Sequence, residues 1–247
     1  MALKTLAIDI GGTGLKAAVL DQEGTMVADR VRVATTYPMS PSRMVDVLAG
    51  LVEPLPGSDR VSAGFPGMVR AGRVLTAPHF VTASGPGTAV VADLRAAWTG
   101  FDLAGALAER LGKPAKVVND ADLQGAAVVT GEGLEFVITL GTGVGTALFY
   151  EGRLCPHMEF AHAPFRKGQT YNEQLGEAAR SKIGTKKWSG RVHRAVQGFS
   201  DLFIYDHVYI GGGNADRIAG KLPANATVVD NAAGILGGIK LWQQGER

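Results

Sequence analysis

The 247-residue chain carries 34 glycines, 11 prolines and one cysteine, with 25 basic residues against 23 acidic ones. A lone Cys155 excludes an internal disulfide. The near-balanced charge does not by itself imply nucleic acid, and 46% hydrophobic with 19% charged residues excludes a disordered chain. Glycine is about twice its average usage, yet Gly and Pro together stay below the roughly 25–30% of low-complexity sequence, so special turns must account for the excess. No apolar stretch approaches the roughly 20 residues of a membrane span, and Asp9 interrupts the opening run. Neither a secretory leader nor a membrane partner is expected, and the expected location is cytoplasmic.

Leu3–Ile10 and Leu15–Leu20 alternate as strands on either side of Gly11-Gly12-Thr13-Gly14, with a third strand predicted near Thr25–Val33. Only about six residues separate the first two turns, too few for a helix, so this is a β-meander. Neither a P-loop nor a dinucleotide fingerprint is present. Ser40 caps a predicted helix that starts at Pro41, buries Met44, Val45, Leu48, Leu51 and Val52, and ends near Glu53 before Pro54. A strand over Val61–Phe65 leads into residues 66–97, read as hairpins and loops. Asp102 caps a helix that stops at Gly112, and the strand Lys116–Val118 ends at Asn119-Asp120.

After a helix over Ala121–Thr130, the strand Phe136–Leu140 meets Gly141-Thr142-Gly143-Val144-Gly145, and a second strand reaches Tyr150. This repeats the N-terminal strand, glycine turn, strand order about 130 residues later, so two pseudo-duplicated lobes are expected: 1–118, 119–231, and a C-terminal helix over 232–247 packing back on the first. Helices are predicted over Asn172–Ile183 and Lys186–Phe203, then a strand His207–Ile210, Gly211-Gly212-Gly213, a helix from Ala215 and a last helix Ala232–Trp242. Glycine turns of this kind let backbone amides approach an anion, although tight hairpins also use glycine where nothing binds.

DIGGTGLKAAVLD, PGMV, NDAD, TLGTGVGTAL, MEFAH and YIGGGNA follow the order found in the ROK (repressor, ORF, kinase) family of sugar kinases, which the chain resembles from about Leu6 to Leu241. The resemblance implies an α/β, actin/hexokinase-like (ribonuclease H-like) two-lobe fold with a central cleft. It also implies a hexose substrate, Mg²⁺ with ATP or polyphosphate as donor, and a homodimer. The members it resembles most phosphorylate glucose from polyphosphate or ATP. Asp120 matches the catalytic base; spacing alone favours a helix cap, and the other motifs favour the base. Asn119, Glu159, His162 and Glu177 match sugar ligands, with Glu173 a rival for Glu177 and Ala161 standing where the E-x-G-H motif has Gly. Gly72, Arg73 and His79 occupy a loop that touches the sugar in relatives.

Asp9 matches the residue that orients Mg²⁺, Gly11, Gly12, Thr13, Lys16, Thr142 and Gly143 the donor-phosphate contacts, and Gly211, Gly212 and Gly213 a nucleoside wall. Because MEFAHAPFRKGQTYNEQLGEAA replaces the family's cysteine-rich motif, no structural zinc is expected. The run Arg180–Arg194 holds six Lys or Arg and no acid, which reads as a solvated helix face or as a track for polyphosphate. With a first strand at about Leu3, a DNA-binding helix-turn-helix is not expected. A non-catalytic sugar sensor and an N-acetylhexosamine kinase remain the alternatives.

Overall fold

β1 (Thr5–Ile10), β2 (Gly14–Leu20) and β3 (Val31–Ala34) form an antiparallel meander. The computed structural model describes residues 3–230 and 233–243. The third strand starts at Val31 and not near Thr25, because the Asp21 carboxylate accepts from the amides of Glu23 and Thr25 and closes a turn there. Helix α1 (Pro41–Val52) then carries the chain across to β4 (Arg60–Phe65), which pairs with β1 in parallel. The Ser40 hydroxyl accepts from the Arg43 amide, and Met44, Val45 and Leu48 are buried, as the spacing predicts.

Residues 66–97 contain the short strands β5 (Val69–Arg70) and β6 (Arg73–Val74), together with a helix, α2 (Ala92–Trp98), that the sequence reading takes for loop. Its N-terminal residue Val91 offers no side-chain cap, so the usual start signal is missing. β7 (Phe101–Asp102) completes that small sheet. α3 (Leu103–Leu111), capped by Asp102 and stopped by left-handed Gly112, leads to β8 (Ala115–Asn119) beside β4, and α4 (Asp120–Val128) follows at once. The strand order is β3-β2-β1-β4-β8.

The second sheet has the same plan. β9 (Leu134–Leu140), β10 (Val144–Tyr150) and β11 (Arg153–Leu154) form the meander, and β14 (His207–Gly211) and β15 (Ala226–Val228) add in parallel. Its order is β11-β10-β9-β14-β15, so the duplication expected from the two glycine turns extends to whole sheets. Between them lie the hairpin β12 (Pro164–Arg166) and β13 (Gln169–Thr170), then α5 (Tyr171–Leu175), α6 (Glu177–Ile183) and α7 (Thr185–Phe203). The single helix predicted over 172–183 is broken at Gly176, where a Cβ would meet the Thr142 carbonyl at 2.7 Å. The helix predicted from Ala215 is one 3₁₀ turn, Ala215–Arg217.

Two compact units result. One holds the residues up to Ala127 together with those from Gly234 onward, and the other is Val128–Ala233. The first core gathers Phe65, Phe80 and Trp98, whose rings lie 5.3–5.6 Å apart; such pairs add about 0.5–1.5 kcal/mol beyond their buried area. The second gathers Phe136, Tyr171, Trp188 and Phe199, with the Trp188 indole donating to the Leu175 carbonyl.

α8 (Ala233–Gln243) lies in the first unit from Gly234 on; Ala232, the first residue predicted for it, lies outside the described residues. A Cβ on Gly237 would fall 1.7 Å from the Leu123 carbonyl oxygen, and one on Gly238 would meet Ala7 and Ser62 at 3.2 Å. These two glycines let α8 lie directly on α4 and the sheet, where the Ser62 hydroxyl donates to the Gly238 carbonyl. Among the described residues no helix is long and apolar enough to cross a membrane.

Candidate active site

In an open sheet, ligands bind beyond the carboxyl ends of the parallel strands. In the first unit that edge holds Asp9, the turn Gly11–Thr13, and Asn119-Asp120. With neighbouring strands about 4.8 Å apart, two strand steps place Asp120 roughly 10 Å from β1. Asp9 and Lys16 face each other across β1 and β2, with Lys16 Nζ 3.1 Å from Asp9 Oδ2. Both side chains are about two-fifths exposed, at 41% and 38%.

The turn has a fixed polarity. Its three carbonyls all accept hydrogen bonds from one neighbouring segment: Gly11 from Thr35 Oγ1 at 2.7 Å, Gly12 from the Tyr37 hydroxyl at 2.6 Å, and Thr13 from the Thr35 amide at 3.2 Å. In a trans peptide the carbonyl and the following N–H point opposite ways. The Gly12 and Thr13 amides are therefore directed away from that segment. Gly11, expected to cradle phosphate as well, donates its own amide to the Gly14 carbonyl and so shapes the turn instead.

Asn119 is buried, and its side-chain amide donates to the carbonyls of Gly67 at 3.0 Å and Phe65 at 3.5 Å, while its Oδ1 accepts from the Ala121 amide. Asn119 thus caps α4 and pins the 65–67 loop. Asp120, half-buried, is thereby relieved of sole responsibility for the cap, although its Oδ1 also lies 2.9 Å from the Ala121 amide. Gly64 gives α4 its close approach, since a Cβ there would touch Leu123 at 2.9 Å and the Asp120 Cα at 3.3 Å.

Gly72 and Arg73 have internal partners in this unit. Gly72 (φ +76°) turns the β5–β6 hairpin against Ala104 of α3, and Arg73 pairs with Asp102 at 3.4 Å and donates to the Gly100 carbonyl. His79, from the same expected sugar loop, packs its ring over Gly12, where a Cβ would sit 3.1 Å away. Burial lowers its pKa, so the ring is neutral near pH 7.

The second unit repeats the turn's polarity. The Gly141 amide donates to the Gly143 carbonyl, and the Gly141 and Thr142 carbonyls both accept from the Glu177 amide. The amides of Thr142 and Gly143 thus face away from α6. A Cβ on Gly143 would collide with Asn172 Oδ1, which accepts from the Val144 amide. Gly212 (φ +88°) presses on the Leu140 backbone, and Asn214 donates to the Gly141 carbonyl. Of the glycine triplet, then, Gly211 pairs within the sheet, Gly212 serves close packing, and only Gly213 has open space where a Cβ would be.

Glu177, expected to bind sugar, also has internal partners. Its carboxylate receives two bonds from Arg180, at 2.7 and 2.9 Å, and one from the Ser181 hydroxyl; these, with Asn214, pull its pKa down to about 2. A carboxylate depressed in this way stabilises the fold above its unfolded pKa of about 4.5 and loses that contribution as pH falls toward 2. The melting-temperature gap between wild type and Glu177→Gln should be full above about pH 5 and close progressively in acid. A gap independent of pH would contradict the pairing. The rival Glu173 closes a capping box with Thr170.

Glu159 and His162 lie together as expected, with His162 Nε2 3.9 Å from Glu159 Oε2 and largely exposed. His157, in none of the sequence motifs, is buried with its Nε2 3.6 Å from Glu159 Oε1. Its presence, more than His162, holds the Glu159 carboxyl below the usual range against the opposing effect of burial. The H-x-E spacing in HMEF is a signal that could have found it. Ala161 is completely buried in the second core.

A profile of the ROK family matches residues 5–162, well over half of the sequence. The chain belongs to the ROK family. This ROK chain is 27% identical over 252 residues to the polyphosphate glucokinase of Mycobacterium tuberculosis, which spans 93% of this chain and 88% of the relative. It is 32% identical over 160 residues to the N-acetylmannosamine kinase of Escherichia coli, but that match covers 62% of this chain and 49% of the relative. The crystal structure of inorganic polyphosphate/ATP-glucomannokinase from Arthrobacter sp. strain KM superposes with a TM-score of 0.78 at 28% identity, covering 98% of this chain and 100% of that one. The actin-like α/β fold expected from the ROK motifs is the fold observed.

Proposed function

We propose that this protein is a hexose kinase that moves the terminal phosphoryl group of polyphosphate or ATP to the 6-hydroxyl of glucose. The observation that carries the reading is the repeated turn: two copies of one sheet each present a pair of directed backbone amides, at Gly12-Thr13 and Thr142-Gly143. Such amides stabilise charge on a transferring phosphoryl group without reorganising. The nucleophilic hydroxyl gives its proton to Asp120 as the new O–P bond forms and the bond to the donor's leaving phosphate breaks. Glu159, kept ionised by His157, accepts from sugar hydroxyls, and His162 adds a second polar contact.

Asp9 fits the role of holding a hydrated Mg²⁺, which keeps most of its waters and uses one or two carboxylates plus substrate phosphates. Among the described residues no group of three or more His, Cys, Asp or Glu could hold a metal by itself, so the donor phosphates would complete the set. The ion would neutralise charge on those phosphates, while Lys16 steadies the Asp9 carboxylate. Glucose is favoured over an N-acetylhexosamine because the similarity to the glucokinase runs through nearly the whole chain.

For polyphosphate, the supporting feature is the basic face of α6 and α7. Lys182, Lys186, Lys187 and Arg194 are exposed and have no carboxylate partner among the described residues, while Glu173 and Glu177 are already engaged. Charge reversal at Lys186 and Lys187 together should raise the KM for polyphosphate several-fold at low salt, make it less sensitive to added salt, and leave ATP kinetics unchanged. The deciding experiment is an activity matrix of ATP and polyphosphate against glucose, mannose and N-acetylhexosamines, with hexose binding followed by calorimetry. Glucose binding with no turnover from either donor would make the protein a sensor.

A further inference from the structure

Tyr37 stands just beyond β3, outside every motif of the sequence reading, yet its hydroxyl makes one of the shortest contacts at the strand-end site, 2.6 Å to the Gly12 carbonyl. The ring around that hydroxyl is held on two sides. It stacks on Phe80, with centroids 6.3 Å apart and planes 22° apart, and Phe80 is itself fixed between Phe65 and Trp98. On its other edge lies Gly85 (φ +107°), where a Cβ would come within 3.1 Å of the ring. The peptide it grips is confined as well, because the His79 ring fills the space beside the Gly12 Cα. A tyrosine needed only for packing would not require its oxygen at this carbonyl.

Because the Gly12 carbonyl and the Thr13 N–H belong to one peptide plane, whatever fixes the first orients the second. We propose that Tyr37 is a positioning residue for the phosphoryl donor: its hydroxyl sets the Gly12–Thr13 peptide so that the Thr13 amide is presented to the donor's terminal phosphate. Thr35 does the same for the Gly12 amide through the Gly11 carbonyl. Burial pushes the Tyr37 phenol above its ordinary range, so it remains a protonated donor throughout the neutral pH range. The proposal rests on the kinase reading, and it separates two jobs that a glycine turn leaves merged. The glycines permit the approach of a phosphate, and the hydroxyls beneath choose which way the amides face.

Tyr37→Phe keeps the ring and its stacking and removes only the grip. We expect the KM for the donor to rise about 3–10-fold, the worth of one hydrogen bond, with a fall in kcat. The dissociation constant for hexose, measured by calorimetry without donor, should stay within twofold. Donor binding, measured by calorimetry with ATP and with a short polyphosphate, should weaken in parallel with KM. Thr35→Val is the second variant and should shift the same donor parameters. Unchanged donor constants in both variants would overturn the proposal, as would equal losses for donor and hexose accompanied by a lowered melting temperature. If the wild-type protein turns over no donor–hexose pair, the kinase reading fails, and the donor calorimetry still decides the role of Tyr37.

Discussion

Asp120→Asn should lower kcat by about 10²–10⁴, the usual worth of a positioned general base, while the affinity for hexose changes little. The size of the effect follows from what the substitution does not disturb. Asn119, not Asp120 alone, caps α4, so the helix start survives. The new side chain has the same shape, and its oxygen can still accept from the Ala121 amide as Asp120 Oδ1 does. Gly64 keeps the Cα of residue 120 in place. What is lost is an ionisable group at a helix N-terminus, where the macrodipole favours a carboxylate by about 0.3–1 kcal/mol. Turnover and hexose calorimetry on the same preparation check the result; turnover within a few-fold of wild type would remove Asp120 from the mechanism.

The duplicated architecture was legible because glycine turns interrupt two aliphatic alternations at matching places, and that local pattern dictates a meander wherever it occurs. Helix caps were legible for the same local reason at Ser40 and Asp102. α2 was not, since its start at Val91 offers no capping side chain. Gly176 breaks the helix predicted over 172–183 because of a carbonyl 34 residues earlier in the chain, at Thr142, which no window on the sequence could contain.

At the candidate site, the motifs place the two glycine turns but cannot tell which of their groups face a ligand. That depends on distant hydroxyls and amides: Thr35 and Tyr37 for one turn, Glu177 and Asn214 for the other. The same holds for the internal partners of Asn119, Glu177 and Arg73, which carry the polar chemistry a sugar would want and also bond to groups that the sequence does not reveal. His157 is legible only through its H-x-E spacing to Glu159, since a lone histidine carries no motif of its own.

Gly212→Ala should be the most damaging single methyl in the second unit. At φ +88° an alanine is strained by about 1–3 kcal/mol before any contact is counted. Its Cβ would then fall 2.4 Å from the Leu140 carbonyl oxygen and 2.5 Å from its amide nitrogen, and backbone cannot swing aside as a flexible side chain would. Leu140 ends β9 and leads directly into Gly141, so relief of the clash must displace the turn that presents the Thr142 and Gly143 amides. Two effects are therefore coupled: a large drop in the melting temperature, and in the folded fraction a weaker grip on the donor. Gly213→Ala, one residue on, meets nothing within 4 Å and serves as the control for thermal stability. Thermal unfolding with and without ATP or polyphosphate distinguishes the pair. A Gly212→Ala protein that melts and binds donor like wild type would mean that the turn in the second unit tolerates movement of β9, and that its amides are not set by this packing.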